Sequence, residues 1–126
     1  MDQIKIISPE EVTCYLGTGG RKTRVLLDPE TGHDGLELYH VELAPGDTSE
    51  VHRRVHPEAL IVLDGVAGVK TGDAVHKAEA GQVILIPANV EHQHVNAGDG
   101  SVTFLGIFAP PTGNAADVRS RPVVDG

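Results

Sequence analysis

Apolar and polar residues alternate singly along much of this chain, and turn-forming residues interrupt the alternation every few positions. Residues 36–43 set Leu36, Leu38 and His40 against Glu37, Tyr39 and Val41, a period of two that predicts a strand. Shorter apolar runs at 4–7, 23–27, 60–63 and 83–86 predict further strands, and 13–16 is β-prone as well. Turn signals suggest three hairpins: Asp64-Gly65 after 60–63, Gly72-Asp73 between 66–71 and 74–78, and Ala97-Gly98-Asp99-Gly100 between 90–96 and 101–109. Ser8-Pro9-Glu10-Glu11 has the order of a helix start, with Ser8 as N-cap, Pro9 in the first helical position and Glu11 as capping-box partner. Such a helix is short, because β-prone residues and then Gly17, Gly19 and Gly20 follow it. From Pro110 onward periodicity stops, so 110–126 reads as an extended or frayed tail. About ten short strands without a long helix predict an all-β sandwich or small barrel. The expected organisation is one domain: lead-in strands over 1–35, a barrel core over 36–109, and the tail.

Composition narrows the function. A chain of 126 residues and 13.3 kDa can bury one core but not two. Against 10 Lys and Arg stand 18 Asp and Glu, a formal charge of −8, so a nucleic-acid backbone is not an expected partner. Aromatic residues are 3% and Trp is absent, which leaves almost no platform for stacking bases or sugar rings. The single cysteine, Cys14, cannot form an internal disulfide and has no His or Lys beside it, so it reads as inert. Neither a signal-peptide run nor the ~20 apolar residues of a membrane span is present, so the expected location is cytoplasmic and off the membrane.

The seven histidines cluster. In an extended chain residues two apart share a face, so His52, Arg54, His56 and Glu58 point one way, and His92, His94 and Asn96 point together on another segment. Imidazole nitrogens with one carboxylate form a ligand set for Zn, Fe, Mn, Ni or Cu. Two such strands facing each other across a barrel can enclose one ion.

Two spaced motifs carry a family resemblance. Gly46 is followed by five residues, His52, Arg53, Arg54, three residues, Glu58, six residues and Gly65. Gly81 is followed by five residues, Pro87-Ala88-Asn89, two residues, His92, three residues and Asn96. Over about residues 36–109 this resembles the cupins. The resemblance implies a jelly-roll barrel with one divalent metal ion inside, held by three His and one Glu, and it maps ligands onto His52, Glu58 and His92. Asn89 stands where the family has a turn glycine, a mild departure because Asn tolerates left-handed backbone. Arg54 stands where the family has its second His, and a guanidinium has no lone pair to give a metal. The missing nitrogen comes from His56, from His94, or from neither, with an ion held by three ligands or a barrel without metal. The preferred set is His52, His56, Glu58 and His92, with a local bulge turning Arg54 outward. His94 is then a candidate acid or base.

Other side chains rank lower. Tyr39 and His40 lie on opposite faces, so at most one of them looks inward. Arg24, Arg53 and Arg54 are candidate carboxylate clamps. Phe104 and Phe108 share a face suited to the core, and His33 and His76 lie at turns. The resemblance and the ligand chemistry imply a metal-dependent enzyme acting on a small keto, phenolic or carboxylate compound, dioxygenase-like first. Non-redox isomerase, cyclase or lyase chemistry, or a small-ligand-binding module without catalysis, are the alternatives. The carboxylate leans the metal toward Fe, Mn or Ni over Zn. A homodimer is expected, with residues 4–7 crossing over as a strand to cover an open sheet edge.

Overall fold

A computed structural model describes residues 4–32 and 34–124. Among them nine strands form two antiparallel sheets. The strands are β1 (Cys14–Leu16), β2 (Lys22–Leu27), β3 (Glu37–Leu43), β4 (Glu58–Asp64), β5 (Val66–Thr71), β6 (Ala74–Glu79), β7 (Val83–Ile86), β8 (Gln93–Asn96) and β9 (Val102–Phe108). The larger sheet has the order β1-β2-β3-β9-β4-β7 and the smaller one β6-β5-β8. The sheets face each other as an all-β jelly-roll barrel.

Strict alternation builds the core. On β9, Val102, Phe104, Gly106 and Phe108 point inward and the residues between them are less buried. β4 does the same with Glu58, Leu60 and Val62. Leu43, Leu60 and Val102 are fully buried and Phe104 is nearly so, and together they fill the space between the sheets. The inward set of β3 is Glu37, Tyr39, Val41 and Leu43. His40 is also buried, on the opposite face beside Arg24 and Glu42, so both Tyr39 and His40 are withdrawn from water where at most one was expected to look inward.

Two of the three expected hairpins are corners instead. Thr71 pairs with Ala74 around Gly72-Asp73 as expected. Asp64-Gly65, however, passes the chain from β4 in one sheet to β5 in the other, and Gly65 adopts φ 78° there. Residues 97–100 likewise carry the chain from β8 to β9, which lie in different sheets. Turn residues announce a change of direction without stating which sheet receives the next strand.

The ends also differ from expectation. Residues 4–7 form no strand, and Ile4 and Ile6 are almost fully exposed. Pro9–Glu11 is a single 3₁₀ turn behind Ser8, whose side chain makes no cap bond. The expected tail is largely packed. It contains a short helix, α1 (Ala115–Arg119), whose Ala115 and Val118 are buried against the barrel, and Val123 bridges to Tyr15 of β1. Glu37 anchors this segment. Its carboxylate accepts from the Tyr39 hydroxyl at 2.6 Å, the Thr112 hydroxyl at 2.7 Å, the Thr112 backbone N–H and the Ala115 N–H at 3.4 Å. Burial alone would raise the Glu37 carboxyl, but these bonds outweigh it and hold the group below its ordinary range. His33 lies outside the described residues, and no described helix is long and apolar enough to cross a membrane.

Candidate metal centre

Residues 48–52 run antiparallel beside β8 and its approach. Thr48 bridges Val95, and His52 and His92 exchange both backbone hydrogen bonds at 2.8 Å. The two histidine-bearing segments are therefore neighbours in one layer, not walls facing each other across the barrel. Side by side, they bring the His52 and His92 ring centroids to 4.3 Å, with His94 5.1 Å from the first and 5.2 Å from the second. Glu58 comes from the opposite sheet, at the start of β4. Its Oε1 lies 3.4 Å from His94 Nε2 and 3.7 Å from His92 Nε2.

The ring orientations are fixed by the backbone. His52 Nδ1 bonds the Glu50 carbonyl at 2.8 Å, and His92 Nδ1 bonds the Val90 carbonyl at the same distance. A carbonyl only accepts, so each Nδ1 carries the hydrogen and each Nε2 keeps its lone pair for the cavity. Ser49, fully buried, holds the neighbouring chain: its hydroxyl accepts the His94 N–H at 2.9 Å and donates to the Glu50 carbonyl at 2.8 Å. Phe104 packs edge-on against the His94 ring. On the far side Gly106 leaves room for the carboxylate, since a Cβ there would meet Glu58 Oε2 at 2.9 Å.

These four side chains fit a divalent ion. One ligand atom from each of His52, Glu58, His92 and His94 lies within 4.8 Å of all the others. Glu58 Oε1, His92 Nε2 and both ring nitrogens of His94 are buried with no hydrogen-bond partner. Buried polar atoms are ordinarily paired, and an unpaired atom from each of Glu58, His92 and His94 gathered beside His52 is a donor set that suits a divalent cation. The protonation states agree. Burial, aided by the adjacent His94, pushes His52 down to about 4, so its imidazole is neutral at pH 7. Burial alone would raise Glu58, but the imidazoles of His94 and His92 outweigh it and bring the carboxyl to about 2, leaving it ionised.

The structure brings His52, Glu58 and His92 together, with His94 as the fourth member of the group. His56 sits half-buried in a bend at 55–56, outside the cluster. Pro57 follows that bend, and β4 begins at Glu58. Arg54, which a bulge was expected to turn outward, lines the same cavity as His52, Glu58 and His94 and also the groove outside it. Asn89 does take the left-handed conformation of the glycine it replaces, at φ 63°.

The remaining candidates separate clearly. Arg24 is engaged with Glu42 at 2.9 Å and the Val12 carbonyl, and Arg53 meets Glu91 at the surface. His76 is exposed and bonds Thr71. Phe104 and Phe108 are in the core. Cys14 is buried, which pushes its thiol up and away from reactivity.

Sequence reasoning missed Arg21. It is only 5% exposed, lines the cavity beside Arg54, and meets Glu50 at 3.4 Å. The glycine run before it was the available signal. Gly20 has φ 94°, and a Cβ there would lie 2.5 Å from the Asp47 side chain, so only glycine lets this strand pass close to the 46–48 turn and deliver Arg21 inward. The cavity itself is small, about 20 Å³, room for a water or an ion. A groove of about 240 Å³ adjoins it, and Arg54 and Asn114 line both. A larger hollow of about 390 Å³ lies elsewhere, lined chiefly by Val69, Ile84, Leu85, Ile86 and Val90, with the Thr71–His76 pair at its side.

Comparison with known proteins agrees with this layout. The family model described as the cupin domain matches residues 39–108. The chain is 31% identical over 113 residues to protein SchB of Streptomyces halstedii, covering 86% of this chain and 81% of that one. It is 32% identical over 119 residues to the dimethylsulfoniopropionate lyase DddW of Ruegeria pomeroyi, covering 90% and 77%. Among solved structures, the polyketide cyclase RemF of Streptomyces resistomycificus superposes with a TM-score of 0.76 at 21% identity, over 98% of this chain and 85% of that one, a likeness of fold.

Proposed function

The chain belongs to the cupin family, and from that premise we propose that it is a metal-dependent enzyme acting on a small oxygen-bearing compound by bond cleavage or ring closure without O2. The observation that supports the reading most is the set of unpartnered ligand atoms of Glu58, His92 and His94 aimed at one point together with His52. His52, Glu58, His92 and His94 are the residues that would hold the ion. When bound, a divalent ion there supplies Lewis-acid polarisation of a substrate oxygen.

This chain's residues supply the rest. The Glu50 and Val90 carbonyls hold two imidazoles in the tautomer that presents Nε2, and Gly106 leaves the Glu58 carboxylate its place. Phe104 and Val41 keep the surroundings dry, which strengthens every charge interaction inside. The lyase activity named for the relative at 32% identity favours non-redox chemistry. The carboxylate in the ligand set favours a second reading, oxygenase chemistry on Fe or Mn, because a hard oxygen donor suits those ions.

One experiment separates the readings. Metal-loaded protein is offered a panel of small hydroxy, keto and β-substituted carboxylates in air and under argon. Turnover that persists under argon and stops with EDTA is the expected result. Turnover only in air, with O2 consumed, moves the assignment to the oxygenase. Turnover indifferent to EDTA sinks both.

We also propose a homodimer in solution. Ile4 and Ile6 are exposed, as are Val83 and Leu85 on the edge strand β7, a set of apolar residues that association would cover. Sedimentation at micromolar concentration is expected to give twice the 13.3 kDa chain mass; a species of single mass would reject the dimer.

A further inference from the structure

Arg54 occupies a peculiar electrostatic position. It lines the inner cavity with His52, Glu58 and His94, and it also lines the outer groove with Thr112 and Asn114. No carboxylate among the described residues lies within ion-pair distance of it, whereas Arg24, Arg53, Arg119 and Arg121 each have one. Tyr39, His52 and Arg21 line the inner cavity with it. Behind it stands Arg21, almost fully buried, with Nε unpartnered and only Glu50 at 3.4 Å, a carboxylate that Arg121 shares at 3.6 Å.

The charges do not cancel. Glu58 faces the imidazoles, and a divalent ion there would leave one positive charge over. Arg54, partly buried, adds a second at the mouth of the cavity, in a protein whose formal charge is −8. Uncompensated like charges in a partly desolvated site are unfavourable. An incoming anion removes the excess.

We propose that Arg54, backed by Arg21, is the specificity-determining anchor for the carboxylate of a small organic acid, which enters through the groove beside Thr112 and Asn114 and presents its remaining atoms to the His/Glu cluster. This rests on the metal-enzyme reading and names its substrate class. A planar guanidinium meets a carboxylate through two parallel hydrogen bonds, so the site selects carboxylates over neutral amides of the same shape. It also gives the departure at position 54 a purpose: the residue that leaves the metal acquires the substrate.

The test is calorimetric titration of the metal-loaded full chain with malonate and with its neutral isostere malonamide. Malonate is expected to bind at least tenfold more tightly. Arg54→Gln should lower malonate affinity by about 30-fold or more and leave malonamide binding and metal content unchanged, and Arg54→Lys should recover part of the loss. Equal binding of malonate and malonamide to the wild type, or undiminished malonate affinity in an Arg54→Gln protein that folds and carries its metal, overturns the proposal. A wild type without stoichiometric metal overturns the metal-enzyme reading instead; malonate's effect on the melting temperature of EDTA-treated protein then still reports on Arg54. Because Arg21 is buried and its replacement endangers folding, the decision rests on Arg54.

Discussion

Replacing His52 and His92 together by alanine is expected to leave the purified protein with no divalent ion, where elemental analysis of the wild type is expected to find one per chain. These two rings are locked by backbone carbonyls and by the paired hydrogen bonds between their own main chains. Protein metal sites with four ligands bind with an apparent 10–16 kcal/mol, so one ligand is worth about 3 kcal/mol, roughly 100-fold in affinity. Two losses are beyond what the remaining pair can offset. The single variants distinguish the ligand sets. His94→Ala should lower metal content sharply, since both its ring nitrogens lack any other partner. His56→Ala should leave it intact. Normal metal in His94→Ala, or its loss in His56→Ala, would return the fourth position to His56 and discredit the cluster described here.

The second large effect lies away from the ion. Glu37→Ala is expected to cost about 4 kcal/mol of stability, a fall in melting temperature of roughly 12–20 °C. The change strips buried partners from the Tyr39 and Thr112 hydroxyls and from the N–H groups of Thr112 and Ala115. It also frees the segment that walls the outer groove, so limited proteolysis should cut near residues 110–114 before the barrel itself. Glu37→Gln, keeping the shape, should lose less. The pH dependence has a definite sign. The folded-state pKa of Glu37 is depressed, so its contribution is complete above the unfolded carboxyl range, near 4.3, and disappears as pH falls through the lower folded value. The stability gap between wild type and Glu37→Gln should therefore be constant at neutral pH and close below about pH 4. A gap that widens on acidification would contradict the account.

What was legible in the sequence, and what was not, follows from the range of the interactions concerned. Strand β3 shows in its alternation and β4 in its short apolar run, because each pattern is local to the chain. His52, Glu58 and His92 were legible because their spacing survives in the family motifs. His94 was legible as an inward residue and as one alternative for the missing nitrogen; its place beside His52 depends on how closely 48–52 lies against β8, a contact between distant parts of the chain. His56 shares the parity of His52 and Glu58 but stands outside the group, a separation set by the path of the bend at 55–56, which spacing alone does not reveal. The packed C-terminal segment gave no signal: α1 presents only Ala115 and Val118 to the core, too few for a helical period, and its anchor, Glu37, reads in sequence as an ordinary outward strand residue. Arg21 belongs to no motif; only the crowding around Gly19 and Gly20 marks its approach to the site.

Glu58 stands on the larger sheet, while His94 stands on the smaller one and His52 and His92 flank it. An ion held by these four would be a cross-link between the two halves of the barrel, so folding and metal uptake form a single linked equilibrium. Free ion at 100 times its dissociation constant would add about 2.7 kcal/mol to the folded state, comparable to burying a large side chain. The barrel's lifetime against unfolding and degradation would then follow the supply of the ion, making the abundance of the protein a record of metal availability.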